Sequence, residues 1–167
     1  TEIVFAEYGF EYEVRNDLNI FDRPITDEDL LKLTELDLTN FDFSCKDSDT
    51  LSLCKNLEHL GMDTCDEKLE FLKPLTKLEN VDIVSFPHNN CFDFSNLEHL
   101  KNLSVLRVSG GDISDMELVN TDTLLNLPNL KELHFHEFGN VDLSPLRQMN
   151  QLEFFFCGYA DEVRNID

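Results

Sequence analysis

One apolar spacing recurs six times along this chain and leaves few folds open to it. Leu33-Thr-Glu-Leu36-Asp-Leu38 places apolar side chains at positions one, four and six. The spacing returns at Leu57/Leu60/Met62, Leu78/Val81/Ile83, Leu103/Leu106/Val108, Leu130/Leu133/Phe135 and Leu152/Phe155/Cys157, with copies starting 24, 21, 25, 27 and 22 residues apart. Positions four and six flank a polar residue, the period-two signature of a strand with one buried face. Ahead of the strands a period of three takes over, as in Leu69-Leu72-Leu75-Leu78, Phe94-Leu97-Leu100-Leu103 and Leu143-Leu146-Met149-Leu152. Period three suits 3₁₀ turns, which aim every third side chain the same way. A unit this short cannot bury its apolar side alone, so the copies must stack on one another.

Stacked strands lie parallel, about 4.8 Å apart, and form one long sheet. Because strands are narrower than the turns behind them, the stack bends with the sheet inside. The spacings fall within the 20–29 residues of leucine-rich repeats. The expected fold is therefore an α/β solenoid: a right-handed leucine-rich repeat superhelix with a parallel concave sheet and a 3₁₀ or irregular convex side. Residues 1–32 read as a small helical N-terminal cap, 33–160 as the repeats and 161–167 as a C-terminal tail. Within the cap, Phe10, Val14 and Leu18 recur at helical spacing, predicting a helix from Phe10 to Asn19. Thr26-Asp27-Glu28-Asp29 then opens a second helical start, with a hydroxyl for an orphan N–H and carboxylates for the positive helix end.

Phe94 to Val108 and Leu143 to Cys157 each contain Leu-x-x-Leu-x-x-Leu-x-x-Leu-x-Leu with apolar replacements. They resemble the short leucine-rich repeats of bacterial internalin-like proteins. The entry Val14-Arg15, then Ile25 to Leu30 and Leu33, resembles the cap before the first repeat of such proteins. The resemblance covers roughly residues 10–160 and implies a bacterial protein-binding fold without naming a ligand. One departure stands out. The family places Asn five residues after the position-four Leu, where its amide bonds backbone from coil to coil. Here that position holds Phe41, Cys65, Phe86, Gly111, Phe138 and Ala160. A polar ladder there is impossible, and a partly apolar spine is expected in which each buried ring contributes about 1.5–3 kcal/mol. The longest copies should carry loop insertions, with turns at His88-Asn89-Asn90 and Gly110-Gly111-Asp112 and an added helical turn within Asp115 to Asn126.

Thirty-four acidic residues face 13 basic ones, a net charge of −21. No Lys/Arg cluster exists for phosphate contacts, which argues against nucleic acid and anionic membranes as partners. No apolar run approaches the roughly 18 residues of a membrane span, and no signal peptide is visible, although a start at Thr1 suggests a trimmed chain. Five cysteines lie scattered without a C-x-x-C pair. Cys54 and Cys157 occupy apolar-periodic positions and read as small buried hydrophobes. This favours a cytoplasmic, reducing compartment, with a secreted or cell-surface location as the alternative.

Positions three, five and seven of each copy point outward. The N-terminal half then presents Glu35, Asp37, His59, Asp63 and Asp82, and the C-terminal half Arg107, Glu132, His134, His136, Phe154 and Phe156, with Tyr159 at the edge. Asp82 and Arg107 share a row and are expected to pair, worth under about 1 kcal/mol if exposed. Aromatic side chains and Arg are the material of interface hot spots. Asp82, Arg107, Glu132, His134, His136, Phe154, Phe156 and Tyr159 are accordingly the candidate partner-binding residues. Two readings of Phe154 and Phe156 stay open: a binding surface, or a pair covered by a tail whose Val163 and Ile166 fold back. Glu132, His134 and His136 share one strand face, but zinc needs three or four convergent ligands, and a solvated His pair is the expectation. No cofactor and no catalytic constellation is indicated. The expectation is a non-catalytic module that recognises a protein through its concave face. The alternatives are a spacer within a larger bacterial surface protein, and self-association through a C-terminus with no capping helix.

Overall fold

The computed structural model describes residues 1–39, 46–64, 69–85, 91–110, 117–138, 140–158 and 162–164. Six parallel strands form one sheet: β1 (Glu35–Leu38), β2 (His59–Thr64), β3 (Asn80–Ser85), β5 (Val105–Ser109), β7 (Glu132–His136) and β9 (Phe154–Gly158). The register aligns equivalent positions of successive copies, so Leu36, Leu60, Val81, Leu106, Leu133 and Phe155 form one row. The first five of these side chains are almost wholly buried, as the alternation requires. In β9 the alternation loosens, and Phe155 and Cys157 are only half-buried.

Behind each strand the period of three has a direct backbone cause. The N–H of Leu103 donates to Leu100, and that of Leu100 to Leu97, and the same i to i−3 link joins Leu130, Leu127 and Leu124. Each apolar residue thus opens the turn that the next one closes, and 3₁₀ segments cover Glu70–Leu72, Phe94–His99, Thr121–Asn126 and Ser144–Gln148. Between strand and turn the chain adds something the periodicity did not announce. The three-residue strands β4 (Cys91–Asp93), β6 (Glu117–Val119), β8 (Asn140–Asp142) and β10 (Glu162–Arg164) form a second parallel sheet. From Glu117 on, the stretch read as an added helical turn is therefore β6 followed by the regular 3₁₀ segment of its coil; Asp115 and Met116 lie outside the described residues.

Coils are joined by a repeated backbone fork. The carbonyl of the residue at position two accepts two N–H groups from the next copy: Thr34 from Glu58 and His59, Glu58 from Glu79 and Asn80, Glu79 from Ser104 and Val105, Ser104 from Lys131 and Glu132, Lys131 from Glu153 and Phe154. Beside this fork runs an amide ladder. Asn56, Asn102, Asn129 and Gln151 each stand one residue before position one and donate to the carbonyls of Leu31, Thr76, Lys101 and Leu127 in the previous coil. In the remaining copy Lys77 reaches back to the Asn56 amide oxygen instead. The polar ladder missing from one corner of the coil is thus supplied at another. Of the apolar spine only Phe138 is described; it is buried and meets Phe135 edge-on at 5.9 Å. Phe41, Cys65, Phe86, Gly111 and Ala160 lie outside the described residues, as do the turns at 88–90 and 111–112.

The N-terminal end of the core is closed by helix α1 (Tyr8–Leu18), which buries Phe10 and Val14. It starts two residues earlier than the spacing predicts and stops at Asn19, whose left-handed backbone (φ 53°) returns its N–H to Arg15 and Asn16. Helix α2 (Asp27–Leu30) opens with a reciprocal capping box between Thr26 and Asp29. The buried Asp29 carboxylate also receives both guanidinium nitrogens of Arg23, at 2.6 and 2.9 Å, and the Lys32 ammonium at 2.7 Å. Asp47, buried ahead of helix α3 (Ser48–Leu51), accepts from the N–H groups of Ala6 and Glu7 and ties the chain start to the first coil.

Candidate functional site

The register turns the outward positions of the six-stranded sheet into rows that cross it. One row reads Asp37, Gly61, Asp82, Arg107, His134, Phe156, and its neighbour reads Glu35, His59, Asn80, Val105, Glu132, Phe154. The face is therefore graded in chemistry from strand to strand.

Its N-terminal half is a groove of about 330 Å³ lined by carboxylates of Asp17, Glu35, Asp37 and Asp82, with Arg107 at its far side. Asp17 comes from α1, so the cap helix forms one wall. Gly61 is what admits the Asp37 side chain over β2, since a Cβ there would stand 2.9 Å from Asp37 Oδ1. The Thr39 hydroxyl and N–H hold that oxygen at 2.7 and 3.0 Å. Desolvation raises the pKa of Asp17, and repulsion from Glu35 and Asp37 adds to it. Glu13 is raised by desolvation, then by Asp17 and Asp37. Desolvation also lifts Asp82, against the lowering pull of Arg107. Asp63, expected among the outward acids, is buried.

The C-terminal half is an aromatic platform. The rings of His134 and His136 lie parallel, 8° apart in plane and 6.5 Å between centroids. Phe154 meets His134 at 5.0 Å, and Phe156 meets His136 at 4.8 Å. Gly158 lets this ring lie down, because a Cβ there would come within 2.6 Å of Phe156 Cε1. Phe154 is 48% exposed and Phe156 39%. Glu132 joins the two halves, with one carboxylate oxygen 3.5 Å from His134 Nε2 and 4.0 Å from the Arg107 guanidinium.

Six of the eight residues singled out from the sequence thus adjoin one another on β5, β7 and β9. Asp82 stands one strand away. Tyr159 lies outside the described residues. One expectation needs correcting. Asp82 and Arg107 face each other in register, but the carboxylate within 4.0 Å of Arg107 is Glu132. Of the tail, residues 162–164 run as β10 beside β8 in the second sheet, while Phe154 and Phe156 are exposed. Ile166 lies outside the described residues. Among the described residues no three His, Cys, Asp or Glu side chains group closely enough to hold an ion. Cys54 and Cys157 are free thiols, and burial pushes the Cys54 thiol up to about 12. No described helix is long and apolar enough to cross a membrane. What the sequence did not disclose is the part of Glu13 and Asp17, whose place depends on how the cap helix lies against β1.

The same coil is found in solved proteins. An internalin (inlF) of Listeria monocytogenes superposes over 97% of this chain with a TM-score of 0.66 at 21% identity. The chain has the leucine-rich repeat fold of the internalins. A secreted internalin-like protein of that species matches 92% of the chain with a TM-score of 0.56 at 17% identity. The internalin InlP, also of Listeria monocytogenes, matches 93% with 0.54 at 16%. The chain spans 46%, 64% and 52% of the lengths of these three structures. No protein-family model matches the sequence, and no curated protein does. In this internalin-type coil the face just described is the open side of the strand ladder, and the ridge of 3₁₀ turns forms its back.

Proposed function

We propose that the chain is a non-catalytic recognition module that binds a protein partner across the outward face of the six-stranded sheet. One observation carries the reading. Two large aromatic rings, Phe154 and Phe156, stand open beside two imidazoles and a guanidinium on a rigid parallel ladder. Aromatic and Arg side chains dominate interface energetics, and a face already ordered loses little entropy on binding. We place the module outside the cell or on its surface, against the compartment its free cysteines first suggest. One fold relative is secreted. Burial pushes the Cys54 thiol up to about 12, which leaves almost no thiolate to oxidise, so its being free is compatible with an oxidising milieu.

The test is affinity capture from cell extracts with the native chain and with a variant carrying Arg107→Ala, His134→Ala and Phe156→Ala. Both chains are first shown to unfold at the same urea midpoint. A specific partner held by the native chain and lost by the variant is the expected result. Equal capture by both removes the face from the site, and capture by neither favours a spacer without a ligand of its own.

A further inference from the structure

The proposed face is uneven in a way that describes its ligand. We propose that it accommodates a basic polypeptide segment laid across the strands, cationic side chains in the Asp37–Asp82 groove and an apolar anchor on Phe154 and Phe156. The inference rests on the concave-face reading above and narrows it to one chemistry.

Two independent features meet on this face. The first is the exposed aromatic platform, an unpartnered surface that favours aliphatic, aromatic or cationic groups packed against its rings. The second is charge left unmatched. Among the described residues, Glu13, Asp17, Glu35, Asp37 and Asp82 have no Lys, Arg or His nitrogen within 4.0 Å, whereas Asp29 in the cap holds Arg23 and Lys32. Glu13, Asp17 and Asp82 are all shifted toward the protonated form, foremost by desolvation; neighbouring carboxylates add to it at Glu13 and Asp17, and at Asp82 the shift persists against the opposing pull of Arg107. A cationic side chain entering the groove relieves that crowding, while an acidic one adds to it. Arg107 lines the far side of the groove, with its guanidinium 4.0 Å from Glu132 and no groove carboxylate within that distance among the described residues, so it offsets Asp82 only in part and forms no ion pair there.

The geometry also sets a length. From Asp37 on β1 to Phe156 on β9 there are five steps between neighbouring strands, about 24 Å at roughly 4.8 Å per step. An extended segment covers that distance in about seven residues. The ligand is thus a short linear stretch, basic at one end and apolar at the other.

The experiment uses fluorescence anisotropy with four labelled synthetic peptides of eight residues. Two carry three lysines at one end and Trp-Leu at the other, in the two chain directions. A third is all basic, and a fourth replaces the lysines with glutamates. The expected result is that one basic–aromatic peptide binds at least about tenfold tighter than the all-basic or the acidic one, and that its affinity falls as sodium chloride rises from 50 to 300 mM. Asp37→Asn with Asp82→Asn should flatten the salt dependence. Phe154→Ala with Phe156→Ala should weaken binding and leave the slope unchanged. Glu98→Asn with Asp122→Asn, which removes the same charge from exposed positions on the 3₁₀ side, should change neither, and this separates the groove from the general attraction of an acidic protein. If neither basic–aromatic peptide outperforms the acidic one, or if both charge variants act alike, the inference fails. A captured partner lost on Phe156→Ala but indifferent to salt and to Asp37→Asn/Asp82→Asn overturns this inference and leaves the proposed function standing. A partner indifferent to all of them overturns both.

Discussion

The side-chain amide of Asn129 donates to the backbone carbonyl of Lys101, 2.7 Å away in the preceding coil. Asn102 does the same to Thr76, and Asn56 to Leu31, so one residue type at one position holds neighbouring coils together. Removing one such amide leaves a carbonyl that only water can satisfy. Asn129→Ala should lower stability by about 0.5–1.5 kcal/mol, and Asn129→Asp, which puts an acceptor against an acceptor, should cost more. Urea unfolding of the two variants against the parent checks the order.

The alternation in β5 makes a sharper test of which side is core. Leu106 is fully buried, and Arg107, the next residue, is half-exposed. Leu106→Ala opens a cavity in a middle coil and should cost about 2–5 kcal/mol. Arg107→Ala should cost less than about 1 kcal/mol. Equal shifts in the urea midpoint would mean that the two faces have been exchanged.

Asp29 should make the cap sensitive to acid. Arg23 foremost, then Lys32, holds its carboxyl far below the usual carboxylate range. A folded-state pKa below the unfolded value of about 3.9 stabilises the protein above that value, and the contribution is lost as pH falls toward the folded one. Asp29→Asn should therefore lower the melting temperature at pH 7, with the gap to the parent shrinking below about pH 4. A gap constant with pH would show that the ion pairs do not drive it.

Asp17 should behave with the opposite sign. Desolvation raises its pKa, and Glu35 and Asp37 raise it further, so ionising it works against the fold once pH exceeds the unfolded value. Asp17→Asn should raise the melting temperature at pH 7 by about 1–2 °C, the scale of a favourable surface substitution. The gain should vanish near pH 3, where both states hold the proton. A loss of stability at pH 7 would show that the carboxylate has a partner that matters more than its neighbours' repulsion.

The strand ladder was legible because positions four and six must be apolar in every coil, and Leu36/Leu38 through Leu133/Phe135 keep to that. The 3₁₀ turns were legible for the same reason, since a buried side chain every third residue is a geometric demand. The second sheet was not. A strand of three residues such as Glu117–Val119 carries one inward side chain, too few to make a period. The amide ladder was written in plain view as Asn56-Leu57, Asn102-Leu103 and Asn129-Leu130, but it stands outside the apolar pattern and at another corner than the family's own. For the site, period two was enough to put His134, His136, Phe154 and Phe156 on one face. Which carboxylate Arg107 turns to is settled by side-chain rotation, and no spacing rule reaches that. The tail's course to β10 depends on strand pairing across coils, which its few residues do not spell out.

The aromatic platform straddles a seam. His134 and His136 belong to β7, which has a strand on either side, whereas Phe154 and Phe156 belong to β9, the last strand of the six. Among the described strands, one paired on a single side opens more readily than one paired on both. A ligand that grips both strands therefore fastens β9 to β7, and part of its binding free energy goes into holding that pairing shut. Amide exchange in β9 becomes a gauge of occupancy, and a substitution that only loosens β9 weakens affinity in proportion to the closed fraction, without touching the ligand at all.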